Sequence, residues 1–243
     1  MSETLVLNEI YLSVQGESTF AGLPCVFIRL TGCNLRCSYC DTAYAFRDGR
    51  RFTLEEIVRI VRELAQPFAN APGRKLPLIE LTGGEPLLQR SALPLMKWLC
   101  DEDFTVLLET SGALDISEVD PRVHRIMDLK CPSSGETEHN RVENLDLLTA
   151  QDELKFVIGT AEDYEWSKAQ IQSHQLAARC PLLFSWVSPI EPHQQDPSLK
   201  SLPPGHNPIS RQALVELIIR DALPVRFQLQ MHKFIWPSDQ RGV

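Results

Sequence analysis

Short apolar runs alternate with amphipathic stretches along most of the chain. Runs at 25–30, 78–81, 105–109, 125–129, 153–158, 182–185 and 225–229 are rich in Val, Ile, Leu and Phe and have the length of buried strands. Between several of them the period becomes helical. Thr53, Leu54, Glu55 and Glu56 have the Thr-x-x-Glu form of a capping box, and Ile57, Val58, Ile60, Val61 and Leu64 follow at helical spacing. Residues 161–178 and 210–221 read as two more helices. Repeated strand–helix units predict an α/β fold, a parallel sheet covered by outer helices. Six or seven strand candidates are fewer than the eight of a closed (β/α)8 barrel, so the pattern predicts an incomplete TIM-like barrel. The Pro- and Gly-containing stretch 67–77 and the Pro-rich stretch 189–208 are expected to be connecting loops or lids within a single domain, 1–243.

With 243 residues, 43% of them hydrophobic, the chain is long enough for one sizeable core. A net charge of −8 argues against a nucleic-acid or anionic-membrane partner, either of which needs clustered Lys and Arg, and leaves a small molecule as the expected substrate. No apolar run approaches the roughly 20 residues of a membrane span. The N-terminus lacks the basic start and apolar core of a signal peptide, so a cytoplasmic location is expected. Seven cysteines there should be reduced, and Cys25, Cys100, Cys131 and Cys180 default to packed thiols.

Cys33, Cys37 and Cys40 change the picture. They share one loop, 31–42, directly after the first predicted strand, and thiolates that close read as ligands of a metal or cluster. A closed zinc site or an electron-transfer [4Fe–4S] cluster needs four protein ligands, and no fourth Cys or His lies nearby. Three ligands leave one iron open to a small molecule. Two plainer readings compete: a zinc knuckle completed by a distant His such as His124, and a redox pair of Cys37 and Cys40. Thr82, Gly83, Gly84, Glu85 and Pro86 end the next predicted strand. Adjacent glycines let backbone approach a ligand closely, and Glu85 offers a carboxylate to an ammonium group. Arg29, inside an apolar run, needs a carboxylate partner, either a substrate's or a structural Asp or Glu.

The cysteine triad and the Gly-Gly-Glu run resemble the cluster and S-adenosylmethionine (SAM) motifs of the radical SAM family. In that family the open iron chelates SAM, whose reductive cleavage yields a 5′-deoxyadenosyl radical. Val14, Gln15, Gly16 and Glu17, the run Phe27 to Leu30, Cys40-Asp41-Thr42, Glu109 to Gly112 and the tail Gln230-Met231-His232-Lys233 narrow the resemblance to 7-carboxy-7-deazaguanine synthases, from about Asn8 to the C-terminus. It implies a carbon–nitrogen lyase that rearranges 6-carboxy-5,6,7,8-tetrahydropterin to 7-carboxy-7-deazaguanine with loss of ammonia, on the route to 7-deazapurines such as the queuosine base of tRNA. The radical takes a hydrogen atom from C6 of the pterin, and SAM is regenerated after ring contraction.

The same resemblance implies site residues. Cys33, Cys37 and Cys40 would hold the [4Fe–4S] cluster, and Tyr39, Asp41, Gly83, Gly84, Glu85, Asp128, Leu129, Lys130 and Ser188 would surround SAM, with Lys155 a further candidate. Asp128 and Leu129 stand where many members carry Ser and Pro. Val14, Gln15, Gly16, Glu17, Arg29, Thr82 and Pro237 would contact the pterin, and Thr42 would contact Mg2+, with helix capping as its alternative role. His232 is expected to be structural, and Cys131 a packed thiol, since a fourth cysteine ligand would exclude SAM. A flavodoxin- or ferredoxin-type electron donor and a homodimer are also implied. Readings from other classes are a glycyl-radical activase acting on a protein partner, against which the Gln15–Glu17 and tail motifs weigh, and a non-enzymatic zinc module.

Overall fold

The computed structural model describes residues 3–69, 75–190, 194–237 and 240–243. Nine strands, β1 (Thr4–Val14), β2 (Pro24–Leu30), β3 (Arg50–Thr53), β4 (Leu78–Gly83), β5 (Val106–Thr110), β6 (His124–Asp128), β7 (Glu153–Ile158), β8 (Leu182–Trp186) and β9 (Arg226–Gln228), form one sheet in the order β3-β1-β2-β4-β5-β6-β7-β8-β9. From β2 to β9 every neighbouring pair is parallel. β3 and β9 lie at opposite edges, so the sheet curls without closing, as an incomplete barrel does.

The seven apolar runs correspond to β2 and β4 to β9. Two strands escape the hydrophobic pattern. β1 and β3 are antiparallel additions at one edge, and the register of β1 against β2 slips between Leu7 and Glu9. Such a bulge reverses which residues face which side. Leu5 and Leu7 enter the outer core before it, and Ile10 and Leu12 pack there after it. Glu9 and Tyr11 are thereby turned toward Arg29 on the opposite face. The broken alternation hides the strand in the sequence.

Helices α1 (Leu54–Ala65), α2 (Ala92–Asp101), α3 (Ala161–Ser173) and α4 (Arg211–Arg220) connect the strands. In α1 the expected capping box is present: the Glu56 N–H donates to Thr53 Oγ1 at 3.2 Å, and the Thr53 N–H to Glu56 Oε2 at 2.8 Å. Thr160 and Asp163 cap α3 in the same way. Such caps are worth about 1 kcal/mol each. α3 stops at Ser173, short of the predicted 178, because Gln175 takes a left-handed conformation and only a 3-10 turn follows. α2 was not apparent in the sequence pattern. A last short helix, α5 (His232–Ile235), forms in the tail.

Alternation along the strands builds two apolar clusters. Val26 and Ile28, Leu81, Leu108, Phe156 and Phe184 point outward into the main core beneath the helices. Cys25, Phe27, Leu78, Leu107 and Ile126 point inward with Phe20 and plug one end of the curl. Beyond that plug the inward positions turn polar: Glu80, Thr82, Glu109, Asp128, Lys155 and Ser185. Burying so much charge is costly unless each group is paired. The stretch 67–77 contains residues 70–74, and 189–208 contains 191–193, all outside the described residues. The described part of the latter lies against the cysteine loop, where the Lys200 N–H donates to the Arg36 carbonyl at 2.9 Å.

Candidate functional site

Loops beyond the C-terminal ends of the parallel strands surround a cavity of about 250 Å3. β2 contributes Arg29 and, through its loop, Cys33, Cys37, Tyr39, Cys40, Asp41 and Thr42; β4 contributes Thr82, Gly83 and Gly84. From β6 and its loop come Asp128 and Lys130, and Ser188 follows β8. Val14, Gln15, Gly16 and Glu17 close the side near β1. Most of the residues singled out in the sequence therefore meet at one place.

Cys33, Cys37 and Cys40 are free thiols on this cavity. Burial pushes all three upward, Cys40 to about 12, so stable thiolates there need a bound cation. Among the described residues no three His, Cys, Asp or Glu side chains converge on a point that would hold one metal ion. In a cubane cluster each thiolate binds a different iron, so three thiols need not converge on one point. His124 lies at the far end of β6 from the cavity, with Nδ1 3.1 Å from the Gln151 carbonyl, so it cannot complete a zinc site. Cys131 is fully buried, 3.4 Å from Ser167 Oγ and off the cavity: a packed thiol, as expected.

Two buried polar atoms beside the thiols lack any hydrogen-bond partner among the described residues, Tyr39 Oη and Asp128 Oδ1. Orphaned groups of this kind call for a ligand or water. Lys130 Nζ donates to the other carboxylate oxygen of Asp128 at 2.7 Å. Burial works against its charge, but Asp128 and the thiols of Cys37 and Cys33 outweigh it and hold the ammonium well above the usual lysine range. Three thiols, unpartnered polar atoms and a cation on one cavity fit a cluster with a charged, amino-acid-like ligand.

Several expectations are corrected. Glu85 does not reach the cavity. Its fully buried carboxylate accepts from the Ser111 N–H at 2.7 Å, Ser111 Oγ at 2.6 Å, Thr110 Oγ1 at 2.9 Å and the Leu87 N–H at 3.0 Å, so it is unavailable to an ammonium group. The glycines before it are explained by chain packing as well as by ligand approach. A Cβ on Gly83, whose φ is +141°, would stand 2.2 Å from the Leu30 carbonyl oxygen, and one on Gly84 would stand 2.0 Å from that of Gly32. Gly83→Ala is therefore expected to lower stability by about 1–3 kcal/mol, through strain and overpacking, and to displace the cysteine loop. Urea unfolding together with iron uptake would measure both effects.

Leu129 points into the outer core. Its neighbours Asp128 and Lys130 face the cavity because side chains alternate along an extended chain. Pro237 lines an adjoining cavity of about 330 Å3 that shares Arg29, Asp41 and Thr42 with the first. Arg29 has a structural partner, Glu9 at 2.7 Å, and also donates to Tyr11 Oη at 2.9 Å. Thr42 precedes a 3-10 turn but makes no capping bond; its hydroxyl lies 2.9 Å from Asp41 Oδ1.

One charged network joins the Gln15–Glu17 turn to the inward face of the sheet. Lys155 Nζ is bonded to Glu17 Oε2 at 3.0 Å and to Glu109 Oε1, and Thr82 Oγ1 donates to Glu109 Oε2 at 3.1 Å. Only 5% of Lys155 is exposed, which rules out a snorkelling side chain. Burial opposes the charges on Lys155 and Glu109, yet their mutual attraction holds the lysine well above and the carboxyl below its ordinary range. Lys155 thus sits with the Glu17 side of the site. Glu9, Tyr11 and Glu80 were not singled out in the sequence, because each gains its meaning from a partner on another strand.

The tail folds back on this loop. Lys233 Nζ bonds Asp41 Oδ2 at 2.5 Å, which holds that half-buried carboxyl well below its usual range despite desolvation. His232 packs against Gly16, where a Cβ would stand 2.4 Å from the ring nitrogen. Burial lowers the imidazole below its usual value, consistent with a packing role.

Residues 27–172 match the radical SAM superfamily. The chain is 42% identical to the 7-carboxy-7-deazaguanine synthase of Chlorobaculum tepidum over 98% of its own length and 97% of that protein's, and 42% identical to that of Koribacter versatilis over 98% and 99%. Its fold resembles the crystal structure of QueE from Escherichia coli, with a TM-score of 0.69 at 19% identity, covering 94% of this chain and 95% of that one.

Proposed function

Because the chain belongs to the 7-carboxy-7-deazaguanine synthases of the radical SAM superfamily, we propose that it converts 6-carboxy-5,6,7,8-tetrahydropterin to 7-carboxy-7-deazaguanine and ammonia, with Mg2+ assisting. The family brings with it a [4Fe–4S] cluster and SAM, which together supply a carbon-centred radical when bound. The observation that carries the proposal is the joining of three thiols and a paired charge network, Glu17–Lys155–Glu109, on one cavity.

In this reading Cys33, Cys37 and Cys40 hold the cluster, and Asp128, Tyr39, Lys130, Ser188 and the Gly83–Gly84 backbone surround SAM. Arg29, which lines the cavity, holds Glu9 through Nε and Tyr11 through Nη2, and its remaining donor capacity would draw the pterin carboxylate toward it. Thr42 donates its proton to Asp41, so its oxygen lone pairs are free for Mg2+, whose other ligands would be waters and substrate oxygens. Gln15, Glu17 and Thr82 read the ring edge. The tail, tied to Asp41 through Lys233, covers the site and excludes water. Residues 1–243 act as one domain, supported by the single sheet that runs from β3 to β9. A flavodoxin- or ferredoxin-type protein supplies the electron. Exposed Ile219, Phe234 and Ile235 offer apolar surface to a second copy in a homodimer. No helix among the described residues is long and apolar enough to cross a membrane.

The test is anaerobic reconstitution followed by incubation with reductant, SAM, Mg2+ and carboxytetrahydropterin. The deazaguanine product is expected, with substoichiometric SAM sufficing for many turnovers and the rate falling when Mg2+ is chelated. Cleavage of SAM to 5′-deoxyadenosine without any deazaguanine would overturn the proposal and leave a protein-activating radical enzyme.

A further inference from the structure

Glu80 lies on the inward face of β4, one inward position below Thr82, and is 2% exposed. It does not line the cavity, and among the described residues no cation bonds it. Its side-chain partner is Gln15, whose Nε2 donates to Glu80 Oε2 across 65 positions of sequence. Gln15 is itself 5% exposed and does line the cavity, and its Oε1 accepts from the Glu17 N–H at 2.9 Å.

These two bonds fix which way the Gln15 amide points. A backbone N–H can only donate, so Oε1 must face Glu17; Nε2 is then left facing Glu80, which must accept. A primary amide has two donors and two acceptor sites, and one of each is used. The remaining N–H and the remaining lone pair stay available on a side chain that lines the cavity. That pair complements a ring edge offering an adjacent acceptor and donor, such as the lactam of a pterin.

We propose that Glu80 is a positioning residue that locks the Gln15 amide in the orientation that reads the lactam edge of the substrate. The inference rests on the pterin reading above. Glu80 suits the task as a neutral acid. Lys155 is already shared by two carboxylates, Glu17 and Glu109, and a third ionised carboxyl beneath them would have no cation of its own. Burial, with the charges of Glu109 and Glu17 adding to it, pushes the Glu80 carboxyl well above its ordinary range, while Lys155 and Arg29 oppose the shift without bonding it. A carbonyl oxygen of the acid accepts from Gln15 without adding charge to the floor of the site.

Glu80→Leu removes the acceptor and frees the terminal torsion of Gln15, which is soft. The reconstituted variant should show a KM and a dissociation constant for the pterin raised on the order of 10-fold, with kcat changed less than about 3-fold. Iron content and SAM affinity should match the unaltered protein. Glu80→Gln keeps an acceptor carbonyl and should restore pterin affinity to within about 3-fold. In a double-mutant cycle Gln15→Ala and Gln15→Ala/Glu80→Leu should be equally impaired. Additive losses, an unchanged pterin affinity, or parallel losses of iron and SAM affinity would overturn the role and make Glu80 a scaffold residue. If Glu80→Leu does not fold, Glu80→Ala in the same cycle gives the same decision. Absence of pterin turnover by the unaltered enzyme would instead defeat the substrate reading, whatever Glu80 does.

Discussion

Cys37→Ala is expected to abolish turnover, by at least about 10^4-fold, while leaving a folded protein. The cofactor carries the reaction, so loss of one of three thiols removes the anchored cluster and with it the whole radical pathway. The loop has other supports. The Arg36 N–H donates to Glu136 Oε1 at 2.7 Å, Ser38 Oγ donates to the Ser133 carbonyl at 2.6 Å, and the Ser38 N–H donates to the Ser134 carbonyl at 3.0 Å. None of these needs a metal. Iron and sulfide analysis should find about four of each per chain in the reconstituted parent and far fewer in the variant. Thermal unfolding should differ little, and 5′-deoxyadenosine formation should vanish. A colourless, zinc-loaded parent whose Cys37→Ala variant unfolds would mean a structural metal, and the enzymatic reading would be wrong.

Lys155→Met carries the second large effect. The substitution keeps length and packing but removes the cation that, among the described residues, bonds both Glu17 and Glu109 in a largely buried site. Breaking a buried pair from one side costs about 3–5 kcal/mol, because the remaining charges are left uncompensated. The loss should depend on pH. In the parent the Glu109 carboxyl is depressed, so its contribution to stability is present above the ordinary carboxylate range and is lost as pH falls through the folded value. Without Lys155, burial and neighbouring carboxylates raise that group, which penalises folding as pH rises above the unfolded value. The stability gap between parent and variant should therefore be widest near neutral pH and narrow in acid. Urea unfolding at several pH values would measure it, and a gap independent of pH would refute the ion-pair account. Because Glu17 and Glu109 line the cavity, kcat/KM should fall on the order of 100-fold at pH 7.

The placement of the chemistry along the chain was legible from local signals. C-x3-C-x2-C after a strand, Gly-Gly at the end of the next strand and short apolar runs are dictated within a few residues, by ligand geometry and by the two-residue period of strands. The identities of partners were not. Arg29 called for a carboxylate, and two answers were open; the structure supplies Glu9, on a strand hidden by a bulge that reverses its apolar parity. Glu85 had the composition of a ligand, but Thr110 and Ser111, on the strand beside it and in the loop that follows, claim its carboxylate. Leu129 fell in a run of cavity residues, yet alternation sends it into the core.

What the sequence determined by itself is a loop of three closely spaced cysteines on a parallel α/β sheet, because thiol spacing and strand burial are short-range patterns. Tertiary structure alone decided which charges neutralise which. Lys233 meets Asp41 across 192 positions, and Lys155 meets Glu17 across 138. The physical reason is that a buried charge requires a partner in space, and the curl of the sheet, not the order of residues, brings that partner within reach.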